Sequence, residues 1–200
     1  MASSNYTQVV VPPGLGGQDR ASRSGIWVGI FAITMSFAAF TSALYVRQGS
    51  GDGVHIVLPP ILYANTIALL LSSFTIEMSR RGIAREVGPE ALGLRRGTDW
   101  LVATLILGLA FVAGQYQAWR YLAAHGLYLA TNSNSSFFYV FTAMHVLHLF
   151  GGIAALVYLI RRLVGVRRGF RQSLFDTTAI YWHFMGVLWL YLLLVMSVRL

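Results

Sequence analysis

The chain has no cysteine. Disulfides, thiolate metal sites and iron–sulfur clusters are excluded, and cysteine usage says nothing about the redox compartment. Lysine is missing too: all fifteen basic residues are arginine, against seven acids. Charged residues make up only 11% of the chain and hydrophobic residues 56%. That balance excludes an ordinary soluble domain and a disordered chain. The formal net charge of +8 does not point to nucleic acid, because the charges sit at the ends of apolar stretches.

Recognised catalytic patterns are also absent. There is no HExxH, no Gly-rich phosphate loop, no nucleophile elbow and no ExxH pair of the di-iron kind. No internal repeat is evident. Pro59 and Pro60 stand at the start of an apolar stretch and not at its centre. A small transporter, with broken helices around a polar midplane, is therefore disfavoured.

What the chain does have is five long apolar stretches, roughly 25–45, 57–76, 100–119, 137–160 and 177–198. A spanning helix needs about 20 mostly apolar residues, and hydrocarbon offers no partner for loose backbone groups. The expected fold is an all-α integral membrane bundle of five transmembrane helices, forming one domain over 25–200. Residues 1–24 are polar, with Pro12, Pro13 and the glycine-rich run 14–17. They lack the apolar core of a signal peptide and read as a flexible arm.

The arginines sort by side. Arg20, Arg23, Arg80, Arg81, Arg85, Arg95, Arg96, Arg161, Arg162, Arg167, Arg168 and Arg171 fall on one side, and only Arg47, Arg120 and Arg199 on the other. The positive-inside rule then predicts a cytoplasmic N-terminus and an outer C-terminus, as an odd number of spans requires. Trp27, Trp100, Trp119, Tyr121 and Tyr128 lie near span ends, where amphipathic rings settle. Small residues recur inside the spans (Ala38, Ala39, Ser72, Ser73, Gly108, Gly114, Gly151, Gly152), and they let helix backbones approach closely.

Ionisable residues inside a membrane are costly, so each is a candidate for function. His145 and His148 share one face of the fourth span, and His183 lies in the fifth. Together they could hold a metal or a haem. Depth argues against a shared site. At ~1.5 Å per residue, His148 lies about 20 Å from the cytoplasmic end of its span and His183 about 10 Å. No carboxylate stands at the level of the histidine pair, so interhelical hydrogen bonding is the first reading.

Glu77 is followed by Arg80 and Arg81, which predicts a local ion pair at the interface. The alternative is a contact with a neighbouring subunit or a lipid headgroup. Asp176 opens the fifth stretch and Asp99 the third; both read as charges favoured by a helix N-terminus, with Thr98 as a possible N-cap. Gln115 and Gln117 read as hydrogen-bonding residues between helices. The run 131–136 (TNSNSS) reads as an outer loop that starts the fourth helix.

Four stretches carry a family resemblance. Residues 136–152 (SFFYVFTAMHVLHLFGG) resemble the S-FF-x3-T-x2-H-x2-H-x3-G segment of haem–copper oxidase subunit III. Residues 176–189 (DTTAIYWHFMGVLW) resemble that family's E-A-x2-YWHF-x-D-x2-W segment. Residues 58–73 (LPPILYANTIALLLSS) are similar to its P-x4-NT-x5-S helix, and 114–122 (GQYQAWRYL) to its Q-x2-E-Y/W region. The matches keep their order over nearly all of 25–198, and the YWHF stretch with the double histidine is the most specific.

The resemblance implies the five-helix form of cytochrome c or quinol oxidase subunit 3, in a bacterial inner membrane. It implies a multi-pass, non-catalytic subunit docked on subunit I beside subunit II and the other subunits. The chain itself would hold no metal and no cofactor; haem and copper would sit in the partner subunits. Structural phospholipid, sustained proton uptake into subunit I and protection against turnover-linked inactivation are further implications. Matched positions are His145, His148, Asp176, Trp182 and His183. With Glu77 they are expected to act as structural polar or subunit-interface residues, and Arg80, Arg81, Arg161 and Arg162 as contacts for lipid headgroups.

Two positions depart from the pattern. The carboxylate usual in the first of these helices is missing from 31–37 (FAITMSF), where Ala32 or Ile33 stands at its level. The aspartate after YWHF is replaced by Gly186. Roles that rest on those acids do not carry over. The accessory subunit of a nitric oxide reductase, from the same family, remains an alternative reading. A stand-alone haem- or metal-binding membrane protein is another. Sequence does not choose between cytochrome c and quinol as electron donor.

Overall fold

The computed structural model describes residues 15–48, 58–84, 91–129, 133–165 and 172–199. Among these, all regular structure is helical: α1 (Leu15–Gln48), α2 (Ile61–Ala84), α3 (Ala91–Ala124), α4 (Ser133–Gly165) and α5 (Gln172–Arg199). Each helix carries a run long and apolar enough to cross a membrane: Ser24–Arg47, Ile61–Ile83, Gly97–Ala124, Ser133–Val164 and Ser173–Arg199. The chain is a multi-pass membrane protein. The expected arm over 1–14, Arg85, Arg167, Arg168, Arg171, Thr131 and Asn132 lie outside the described residues, as do the side chains of Arg20, Arg23, Arg95 and Arg96.

Two helices outrun their apolar runs. α1 and α3 have 34 residues each, against apolar runs of 24 and 28. At ~1.5 Å per residue such helices reach about 50 Å, against a hydrocarbon core of about 30 Å. Helical hydrogen bonding does not stop where the apolar residues stop, because water tolerates a polar helix end. Residues 15–24, read as part of a flexible arm, are therefore the first turns of α1. The same effect corrects two helix starts. α3 begins at Ala91, so Thr98 and Asp99 lie inside it and do not cap it. α5 begins at Gln172, which leaves Asp176 beyond the first turn.

Pro59 and Pro60 mark the start of α2. Their carbonyls accept from Leu62 N and Tyr63 N at 3.1 Å, and their missing N–H groups cost nothing in a first turn. Just past the end of α3, Gly126 has a left-handed φ of 76°. Leu127 N reaches Leu122 O and Gly126 N reaches Ala123 O, both at 3.0 Å. This double bond pattern closes a helix C-terminus and favours glycine at its bend. Tyr139 of α4 then donates its hydroxyl to Leu127 O at 2.9 Å and fastens the turn between α3 and α4.

α5 is the hub and packs against α1, α2 and α4, while α2 and α3 form the closest antiparallel pair. Half of the apolar window of α5 is buried within the chain, but only 11% of that of α1. Trp27, Val28, Phe31 and Met35 on α1 are exposed. α1 thus turns most of its apolar surface to lipid or to another protein.

Candidate functional site

Indole and phenol groups on one helix meet hydroxyls on the next. Trp182 Nε1 on α5 donates to Ser72 Oγ on α2 at 3.0 Å. Trp189 Nε1 on α5 donates to Thr66 Oγ1 on α2 at 3.0 Å. Trp119 Nε1 on α3 donates to Thr142 Oγ1 on α4 at 2.9 Å. Tyr191 OH on α5 donates to Thr41 Oγ1 on α1 at 3.0 Å. Each accepting hydroxyl gives its own hydrogen to a carbonyl one turn back: Ser72 to Leu69, Thr66 to Leu62, Thr142 to Phe138 and Thr41 to Phe37. A Trp N–H has only one hydrogen to give, and a hydroxyl can donate once while accepting through its lone pairs. The arrangement satisfies these four ring donors and ties helices at defined depths.

Small residues seat these rings. A Cβ added at Gly108 of α3 would lie 2.8 Å from Trp182 Cη2, and one at Gly152 of α4 would lie 3.2 Å from Trp182 Cε3. Trp182 therefore touches α2, α3 and α4 at once. Gly114 faces the amide of Asn65, whose Oδ1 would be 2.0 Å from an added Cβ. Along α2 and α3, Thr75 and Thr104 share a hydrogen bond of 2.8 Å, and Ser79 Oγ donates to Gly97 O at 2.7 Å.

The three spanning histidines have different surroundings. His145 is fully buried. Its ring lies 5.7 Å from Phe111 of α3 and 5.2 Å from Trp189 of α5, centroid to centroid. Neither of its nitrogens has a hydrogen-bond partner in the chain. His148 donates from Nδ1 to Met144 O at 2.6 Å within α4, and its ring stands 5.9 Å from Phe37 of α1. The interhelical bond at this level comes from Tyr181 OH, which donates to His148 O at 2.8 Å. The side chains of His145 and His148 thus pack against rings of neighbouring helices, and near His148 it is Tyr181 that makes the bond across. Gln117 is exposed, and Gln115, buried, has no partner for either end of its amide.

His183 belongs to a separate place. It lines a cavity of about 490 Å³ with Glu77, Arg80, Arg81, Asp176, Ala179 and Ile180. Glu77 pairs there with Arg80 at 2.9 Å and with Arg81 at 3.0 Å. The cavity lies at the arginine-rich end of α2 and α5. Arg161 and Arg162 of α4 are exposed. Arg162 Nε donates to Tyr158 OH at 3.0 Å. At the opposite end, the Arg199 guanidinium sits 4.3 Å from the centre of the Tyr45 ring and joins α5 to α1.

Among the described residues no three His, Asp or Glu side chains gather as a metal site. His145 is walled by aromatic rings, and His183 sits with the ion pairs of the α2–α5 cavity. Structure therefore brings Glu77, Asp176 and His183 together with Arg80 and Arg81, places His145 and His148 elsewhere, and makes Trp182 the centre of the packing. Reading the sequence alone missed Ser72 and Thr66 as hydrogen-bond acceptors and missed that Trp189, the last residue of the YWHF stretch, donates to Thr66. The signal was the excess of Ser and Thr inside apolar spans that also supply tryptophans.

Position 186 bears on the family pattern. A Cβ there would meet Ser73 Oγ at 3.4 Å, so a side chain at that point would face α2. The sequence profile described as "Cytochrome c oxidase subunit III" matches residues 26–198. A "Probable cytochrome c oxidase subunit 3" of Nocardia farcinica is 34% identical over 162 residues, covering 78% of this chain and 77% of the relative. One of the same description from Mycobacterium leprae is 34% identical over 126 residues, 62% of this chain. That alignment spans 59% of the mycobacterial protein's length. "Cytochrome c oxidase subunit 3" of Thermostichus vulcanus is 29% identical over 177 residues, 84% of this chain and 82% of the relative. With a match running from the first helix to the last, this chain belongs to the cytochrome c oxidase subunit III family.

Proposed function

We propose that this chain is a non-catalytic subunit of a respiratory haem–copper terminal oxidase in a bacterial inner membrane. It docks on subunit I, stabilises it and supports its proton uptake during oxygen reduction. The N-terminus and the cavity of Glu77, Asp176 and His183 then face the cytoplasm, as the arginine count favours. The observation that carries this reading is the family match over residues 26–198. The largely uncovered apolar face of α1 supports it, since a larger membrane partner would bury that face.

The cavity between α2 and α5 is the place for a phospholipid headgroup. It combines arginine guanidinium groups with carboxylates and an imidazole at a span end, which suits a phosphate that also carries a cationic group. Arg161 and Arg162 add positive charge at the same end of the bundle. Titratable groups in a cavity at this end also support a role in delivering protons to the partner.

The test is affinity purification of the tagged chain from its native membrane. Mass spectrometry should identify a haem–copper catalytic subunit in stoichiometric amount. Recovery with a nitric oxide reductase core would establish the second reading. Recovery without any redox partner would refute both.

A further inference from the structure

Among the described residues, five side-chain atoms in the half of the bundle nearer Arg120 are buried without a hydrogen-bond partner: Asn65 Nδ2, both amide ends of Gln115 and both ring nitrogens of His145. They come from α2, α3 and α4. Asn65 is 5% exposed, and Gln115 and His145 are 0% exposed. A buried polar group left without a partner costs on the order of 1–3 kcal/mol, and in hydrocarbon no bulk water relieves it.

The three residues share one depth. Phe111 of α3 and Trp189 of α5 both pack on His145. The Trp189 indole bonds Thr66, the neighbour of Asn65. Asn65 itself packs over Gly114, next to Gln115, and Gln115 follows Phe111 by one turn on the same face of α3. From Phe111 to Gln115 is about 6 Å of depth along α3.

We propose that Asn65, Gln115 and His145 bind internal water. The occupant must be small, neutral and able both to donate and to accept. A lipid headgroup or a partner side chain cannot reach atoms sealed inside the bundle. A water bound in a protein makes roughly three hydrogen bonds, so about two waters satisfy the five atoms. The site joins α2, α3 and α4. It is separate from the charged cavity between α2 and α5, and it stands whichever redox partner the chain has.

Trp182 provides an internal control. It is as deeply buried as Trp189, but its indole ends on Ser72 and it faces glycines, away from the orphaned atoms. Synchrotron hydroxyl-radical labelling of the purified full chain modifies buried side chains only where water is bound beside them. The expected result is oxidation of His145 and Trp189 with Trp182 protected, and loss of that labelling in the isosteric variant Asn65→Leu/Gln115→Met. Equal protection of His145, Trp189 and Trp182 in the unaltered chain would overturn the proposal, whether or not the variant folds. Labelling that persists in a folded variant would overturn it as well.

Discussion

Trp182 and Ser72 stand 110 positions apart in the chain and 3.0 Å apart in space. The indole hydrogen ends on a hydroxyl whose own hydrogen is already used on Leu69 O. Removing either partner should therefore leave a different residue behind. Trp182→Phe keeps most of the ring and leaves Ser72 with its intrahelical bond, so it should cost about 1–2 kcal/mol. Ser72→Ala orphans a fully buried N–H and should cost about 1–3 kcal/mol. Thermal unfolding of both single variants and the double variant should give a coupling energy of about 0.6–1.7 kcal/mol. Strictly additive losses would show that the bond contributes nothing.

Adjacent glycines separate packing from mere helix content. Gly152 lies against the Trp182 and Tyr181 rings, with the nearest atoms 3.2 Å from an added Cβ, whereas the nearest atom at Gly151 is the Tyr181 hydroxyl at 3.5 Å. Gly151→Ala should be tolerated within about 0.5 kcal/mol. Gly108→Ala and Gly114→Ala press a methyl group on the Trp182 ring and the Asn65 amide, and each should lose about 1–3 kcal/mol by overpacking. Urea or thermal denaturation in one detergent compares the three variants directly.

The ion pairs of Glu77 should matter little to the stability of the isolated chain. Arg80 and Arg81 are 51% and 57% exposed, and pairs so open to solvent contribute about 0–1 kcal/mol and weaken with salt. Glu77→Gln should leave the melting temperature nearly unchanged. If the cavity holds a phospholipid, the same substitution should change the amount of lipid retained through purification, read by lipid mass spectrometry.

His148 offers a handle on α1. Its ring faces Phe37, and α1 has few other contacts with α4. His148→Leu loses the bond to Met144 and should loosen the seating of α1, weakening retention of the partner during size-exclusion chromatography. The haem spectrum of any complex that survives should be unaltered. A changed spectrum in an intact complex would place His148 near a redox centre.

The five spans were legible because hydrocarbon demands long runs of apolar residues, and no other fold class uses such runs so regularly. Their true ends were not, since α1 and α3 continue as helix into polar sequence where hydropathy carries no signal. The glycines at 108, 114 and 152 were readable as close-approach positions, but not which ring would occupy each. Trp182 stood out through its motif, whereas its acceptor Ser72 did not, because tertiary proximity across 110 residues leaves no local periodicity. The surroundings of the histidines were not legible for a related reason. Sequence shows that an imidazole is buried but not that aromatic rings surround it, as Phe111 and Trp189 surround His145.

The central claim is that this chain is a packing subunit and that redox chemistry resides in its partners. Separation of the purified complex into its subunits, followed by iron and copper analysis and visible difference spectra of each, tests it most directly. All haem and copper should remain with the other subunits, and this chain should be colourless. Iron or copper in stoichiometric amount on this polypeptide alone would contradict the account.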